Sequence, residues 1–186
     1  VAAYDAVTGQ QVWRFLAEGP IRFAPAALDG RVFVGSDDGF LYCLQTDSGK
    51  LLWKFRGVPS TRKVLGNGRM ISLWPVRGGP VAKEGKVWFA AGVWPMEGVF
   101  VHCLDANTGK SIWINDRCGF IYGTQPHNAK ATGGRAPQGY LLLDGDDLIV
   151  PSSVAFPARF DAATGKLKEF ELPSQGRLPG GWFAST

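Results

Sequence analysis

Apolar residues along this chain fall in short runs, each closed by Gly, Pro, Asp or Ser, and no segment carries the 3.6-residue recurrence and caps of a helix. The runs at residues 31–34, 86–89 and 147–150 are rich in β-branched and aromatic side chains, as strands are. Each follows a turn signal, Asp29-Gly30, Glu84-Gly85 or Asp144-Gly145, in which Gly supplies the positive φ of a tight hairpin. A second run follows at 40–44, 99–104 and 154–160, and a Thr-Gly-Lys type turn then leads to a last strand, clearest at 51–55. The pattern predicts units of four antiparallel strands with almost no helix.

The units repeat. AYDAVTGQQVW at residues 3–13 recurs as CLQTDSGKLLW at 43–53, CLDANTGKSIW at 103–113 and, degraded, RFDAATGKLKE at 159–169. The glycines Gly9, Gly49, Gly109 and Gly165 stand 40, 60 and 56 residues apart, so a unit of about 40 residues carries insertions in its later copies. That period suits four-stranded propeller blades. Asp5, Asp105 and Asp161, with Gln45 as the variant, precede the Gly by four positions, where a side-chain oxygen accepts turn N–H groups. Trp13, Trp53 and Trp113 offer a broad apolar plate with one N–H, suited to a seam between blades. The expected fold is all-β, a partial β-propeller of about three and a half four-stranded blades. Residues 1–17 end a first blade, 18–57 form a second, 58–117 a long basic loop and a third, 118–172 a loop insertion and a fourth, and 173–186 start another. On this count the chain is an open arc of a larger propeller.

Composition agrees with many short strands: 25 Gly and 12 Pro among 186 residues, with 7 Trp and 12 Phe. No run reaches the roughly 18 apolar residues of a membrane-spanning helix, and no basic-then-apolar segment of signal-peptide type occurs. Three cysteines rule out a fully paired framework within the chain; Cys43 and Cys103 share one repeat position in different blades, beyond disulfide reach, and read as small buried hydrophobes, while Cys118 stands apart.

The eleven-residue pattern resembles the tryptophan-docking repeat of the PQQ-like β-propeller family, which includes quinoprotein dehydrogenases and an outer-membrane assembly scaffold lipoprotein. The resemblance covers roughly residues 1–172, and LGNGRMISLWPVRGGPV followed by AAGVWPMEGVFVHCLDANTGK also resembles uncharacterised extracytoplasmic members. It implies that each Trp stacks on the turn of the next blade and that the setting is periplasmic or secreted. Glu169, where a fourth Trp belongs, departs from the pattern. Quinoprotein dehydrogenases often carry adjacent cysteines beside the quinone, and no two cysteines are adjacent here.

No HExxH, CxxC, GxSxG or phosphate loop occurs, and Gly66-Asn67-Gly68 lacks the third glycine of a dinucleotide fingerprint. His102 reads as a packed strand residue and His127 as a loop residue. Asp144, Asp146 and Asp147 crowd one turn, read as solvated more readily than as a calcium site. Meander geometry gathers the long connections, residues 57–79, 92–98, 117–137 and 151–157, on one face, while the short turns share the other. From Ser48 through Lys83 there are eight cations and no acid. This decorated face is the expected partner surface, with Arg62, Lys63, Trp74, Arg77, Trp94, His127, Asn128 and Arg135 as its candidate residues. The remaining blades, a protein and an anionic glycan are the expected partners; a net charge of only +4 and the lack of an RNA-binding motif argue against nucleic acid. The leading reading is a non-catalytic interaction propeller with no evident cofactor. The alternatives are a quinoprotein oxidoreductase segment, where PQQ and calcium would enter, and a polysaccharide-active propeller using His127 with Arg135.

Overall fold

The computed structural model describes residues 1–66, 68–124, 128–152 and 155–171. The expected further blade at 173–186 lies outside them. The first blade contributes a hairpin, β1 (Ala2–Tyr4) and β2 (Gln11–Arg14). The second is a four-stranded antiparallel sheet, β3 (Ala26–Leu28), β4 (Arg31–Gly35), β5 (Phe40–Gln45) and β6 (Leu51–Arg56). A separate hairpin follows, β7 (Lys63–Gly66) with β8 (Arg69–Ser72). The third sheet is β9 (Val76–Lys83), β10 (Lys86–Ala91), β11 (Phe100–Asp105) and β12 (Ser111–Asn115), with a 3-10 turn, Pro95–Glu97, before β11. A second inserted hairpin, β13 (Phe120–Thr124) with β14 (Lys130–Gly134), precedes β15 (Gly139–Tyr140), which pairs in parallel with β9. The last sheet is β16 (Leu142–Asp144), β17 (Asp147–Ser152), β18 (Ala155–Asp161) and β19 (Leu167–Glu169). The fold is a partial β-propeller.

Strand position explains the apolar runs. Middle strands β4, β5, β10 and β11 are buried on both faces, whereas the outer β6 and β12 alternate between exposed and half-buried. The apolar clusters lie at the seams: Phe33, Leu41, Val87 and Phe89 join the second and third sheets, and Trp88, Val101, Leu148 and Phe160 join the third and last.

Turn chemistry follows the register. Asp29 (φ 48°) with Gly30 (φ 72°), and Glu84 (φ 49°) with Gly85 (φ 72°), are left-handed pairs between matched strand ends. In the last sheet Asp144 pairs with Asp147, so the turn is Gly145-Asp146 and not Asp144-Gly145; glycine (φ 55°) takes its first central position.

In the repeated turn, Asp105 Oδ1 accepts the Thr108 hydroxyl and amide at 2.8 Å each and the Asn107 amide at 3.1 Å, which holds its carboxyl below the usual carboxylate range. Asp5 and Asp161 do the same toward Thr8 and Thr164. The glycine four residues on is left-handed in all four copies, with φ between 66° and 71°. Onto each of the last three lies the Trp of the preceding blade. Trp13 Nε1 donates to the Thr46 carbonyl (2.8 Å), Trp53 to Ala106 (3.3 Å) and Trp113 to Ala162 (3.1 Å). A Cβ on Gly49 would stand 2.5 Å from the Trp13 ring, and one on Gly109 2.7 Å from the Trp53 ring. Trp88 also donates to Ala162, so one carbonyl receives two indoles.

Gly109→Ala therefore meets both a left-handed backbone and the Trp53 ring, and is expected to cost about 2 kcal/mol in urea unfolding. Gly30→Asn, where nothing stands within 4 Å of a Cβ, is expected to cost less than about 1 kcal/mol.

Candidate functional site

The long connections are not irregular loops. Residues 57–79 hold β7, β8 and the start of β9, and residues 117–137 hold β13 and β14. Pairing of Leu65 with Met70 and Val64 with Ile71 turns Leu65 and Met70 to solvent while Ile71 is buried. The 3-10 turn between the two hairpins is set by left-handed Gly92 and Gly98 and is tied down by Trp74, whose Nε1 donates to the Glu97 carbonyl at 2.6 Å.

Arg62 and Lys63 are exposed at the foot of the first hairpin, and the Arg62 carbonyl accepts the Leu73 amide at 2.9 Å. Trp94 is partly exposed and lines an open groove with Val64, Leu65, Leu73, Met96 and Glu97. Trp74 is buried. Asn128 is exposed in a left-handed conformation at the second hairpin, and His127 lies outside the described residues. Arg135 donates from Nη1 to the Cys118 carbonyl and lies 5.0 Å from the Phe170 ring centre, so its guanidinium is turned into the structure. The groove joins Trp94 to the hairpin of Lys63; Arg77 is drawn elsewhere.

Arg77 Nε and Nη2 donate to Asp37 at 2.8 and 3.2 Å, and Arg22 Nε donates to the same carboxylate at 2.6 Å. Asp37 is fully buried. Beside it Asp38 accepts the Tyr42 hydroxyl at 2.6 Å, and burial with that bond raises the Tyr42 phenol. Ser36-Asp37-Asp38-Gly39 looks in sequence like any polar turn. Its burial arises because distant segments cross it: the Asp37 amide donates to Pro20, and its carbonyl accepts from Ser72, both at 2.8 Å. The adjacent carboxylates were the available signal. Among the eight cations of residues 48–83, Lys54 and Lys83 also have acidic neighbours, whereas Arg62, Lys63 and Arg69 have no ion pair among the described residues.

Other titratable groups are structural. His102 is buried, stacked 4.7 Å from the Phe89 ring, with Nε2 2.8 Å from the Gly57 carbonyl, and burial pushes its imidazole down to about 4. Burial raises the thiols of Cys43 and Cys103 to about 12 and of Cys118 to about 11. On the plain face Asp147 is taken by Lys168 and Arg159, each at 2.6 Å.

A family model described as outer membrane protein assembly factor BamB matches residues 1–117. The chain belongs to this PQQ-like β-propeller family. Within 124 residues it is 32% identical to the dehydrogenase subunit of the quinone alcohol dehydrogenase of Gluconobacter oxydans (strain 621H), a match covering 60% of this chain and 16% of that one. BamB from Moraxella catarrhalis superposes with a TM-score of 0.64 at 20% identity, over 94% of this chain and 47% of that one. Quinohemoprotein alcohol dehydrogenase from Comamonas testosteroni gives 0.66 at 18%, over 95% and 32%. These two likenesses carry the fold.

The dehydrogenases pose the question of a quinone with Ca²⁺. A calcium site needs several oxygen ligands around one cation. Among the described residues no group of three His, Cys, Asp or Glu gathers to hold a metal, Asp37 is enclosed by two arginines, and the three cysteines are separate thiols.

Two outcomes are expected. An unfolded histidine takes up a proton near pH 6.5 that folded His102 refuses until about 4, so stability falls as pH drops through that window, by up to about 3 kcal/mol; in denaturant melts at several pH values, His102→Gln flattens the loss. Arg77→Met, which strips one partner from buried Asp37, destabilises by about 3 kcal/mol, whereas Arg69→Met stays within about 0.5 kcal/mol.

Proposed function

We propose that this chain is a non-catalytic interaction segment of a larger extracytoplasmic β-propeller, and that it engages a partner through its hairpin-bearing face. The carrying observation is the contrast between faces. Arg62, Lys63 and Arg69 have no ion pair among the described residues and share the first hairpin with exposed Leu65 and Met70, while on the plain face Asp5, Asp105, Asp147 and Asp161 are bonded within their own turns and sheet. Exposed apolar surface beside unpaired charge is what a partner surface needs. The match to a family described as an assembly factor supports a protein partner and an extracytoplasmic setting. Trp seams repeated along the chain, and its coverage of under half of the BamB structure, support other blades of the same propeller as neighbours. Trp94, Lys63 and Arg62 are the proposed contact residues. Asn128 is exposed on the second hairpin, Trp74 holds the turn that carries Trp94, and Arg77 is spent on Asp37.

The second reading, a segment of a quinoprotein oxidoreductase, is favoured by the 32% identity to the quinone alcohol dehydrogenase subunit. For a polysaccharide-active propeller, Arg135 would have to leave the Cys118 carbonyl. A photo-reactive amino acid at Lys63 in cells is expected to give cross-linked adducts, and one at Asn107 on the plain face to give none; equal yields remove the interaction reading. Alcohol-dependent dye reduction after the polypeptide carrying this chain is loaded with PQQ and Ca²⁺ would replace it with the oxidoreductase reading.

A further inference from the structure

The groove between the first inserted hairpin and the 3-10 turn has a chemistry of its own. Its walls are Leu65 and Val64 on β7 and Trp94 and Met96 on the turn, with Leu73 at its base. Leu65 and Met96 are about three-quarters exposed, at 76% and 74%, and with Trp94 they line one contiguous apolar groove. The walls are held in place: Trp74 is bonded to the Glu97 carbonyl, and Gly92 and Gly98 have backbone conformations that set the path of the turn. A second open concavity lies on the far side of the turn, lined by Met96 and Phe120 with the charged Glu97, Asp116 and Arg117, so Met96 stands between an apolar trough and a charged one. Charge is asymmetric across this strip. Arg62 and Lys63 at the foot of the first hairpin, and Arg69 at its tip, have no ion pair among the described residues, while Glu97 lies on the turn and, beyond it, Asp116 is paired with Arg117.

We infer that this strip is a docking site for an extended polypeptide segment in which acidic and large apolar residues alternate. Its carboxylates lie over Arg62 and Lys63, and its apolar side chains fill the trough between Leu65 and Trp94. The inference rests on the interaction reading above and narrows its partner. A purely anionic glycan would satisfy the cations and leave Leu65 and Met96 in water. An anionic lipid surface is flat, cannot enter the trough, and is opposed by Glu97 on its wall.

The probe is a fluorescein-labelled twelve-residue peptide alternating Glu and Leu, followed by anisotropy against the full chain, with polyglutamate, heparin and phosphatidylglycerol vesicles in parallel. The peptide is expected to bind at least about tenfold more tightly than polyglutamate or heparin, to weaken with salt, and to lose about tenfold in affinity in Leu65→Ser, in Met96→Ser and in Lys63→Glu. Unchanged near-ultraviolet circular dichroism establishes that these exposed-site variants fold. Equal binding of heparin or polyglutamate, tighter binding of vesicles, or indifference to Leu65→Ser and Met96→Ser overturns the inference. Cross-links from Lys63 in cells together with no peptide binding overturn this partner class and leave the interaction face standing; loss of both removes the face as well.

Discussion

An indole laid on a glycine of the neighbouring sheet is the contact from which the rest of this molecule follows. The glycine must be bare, because a Cβ would occupy the ring's place, and it must be left-handed, because only that conformation closes the turn and turns its open side to the neighbour. The aspartate before it fixes the turn by accepting amide and hydroxyl protons, and the indole N–H finds a carbonyl in the same turn. Each seam is thus specified by polar geometry at its rim and filled by apolar side chains within. The sheets cannot slide on one another, and the connections at their other ends are free to vary.

That division explains what could be read from sequence. The Asp-to-Trp spacing is local, so it revealed the repeats without any knowledge of distant contacts, whereas the stacking of each Trp on the next blade's turn was implied by the family resemblance. The two-residue turns were equally legible, except that the pairing of Asp144 with Asp147 moved one of them by a residue. The inserted hairpins were not, because β7 and β8 are short, carry Gly at their junction, and depend on Val64 and Ile71 finding the seam beneath them.

The candidate face was legible as charge and not as geometry. A run of cations is visible in sequence, but which of them are spent depends on where acids return in space. Arg77 looked like its neighbours until Asp37, forty residues earlier, was found beneath it. Arg22 and Asp37 carried no local sign of their meeting, and the gathering of Leu65, Met96 and Trp94 along one groove depends on where the inserted hairpin packs. Burial of His102 was anticipated by its strand; its contact with Gly57 was not.

The short parallel strand Gly139–Tyr140 has a consequence for synthesis. It covers the edge of β9, yet it is made only after the whole third sheet and the second hairpin have left the ribosome. During that interval β9 presents a row of unpaired amides and carbonyls along Gly78 and Gly79, an open invitation to a neighbouring nascent chain. The link to the last blade then acts as a clasp, and the order of translation decides how long the edge stays bare.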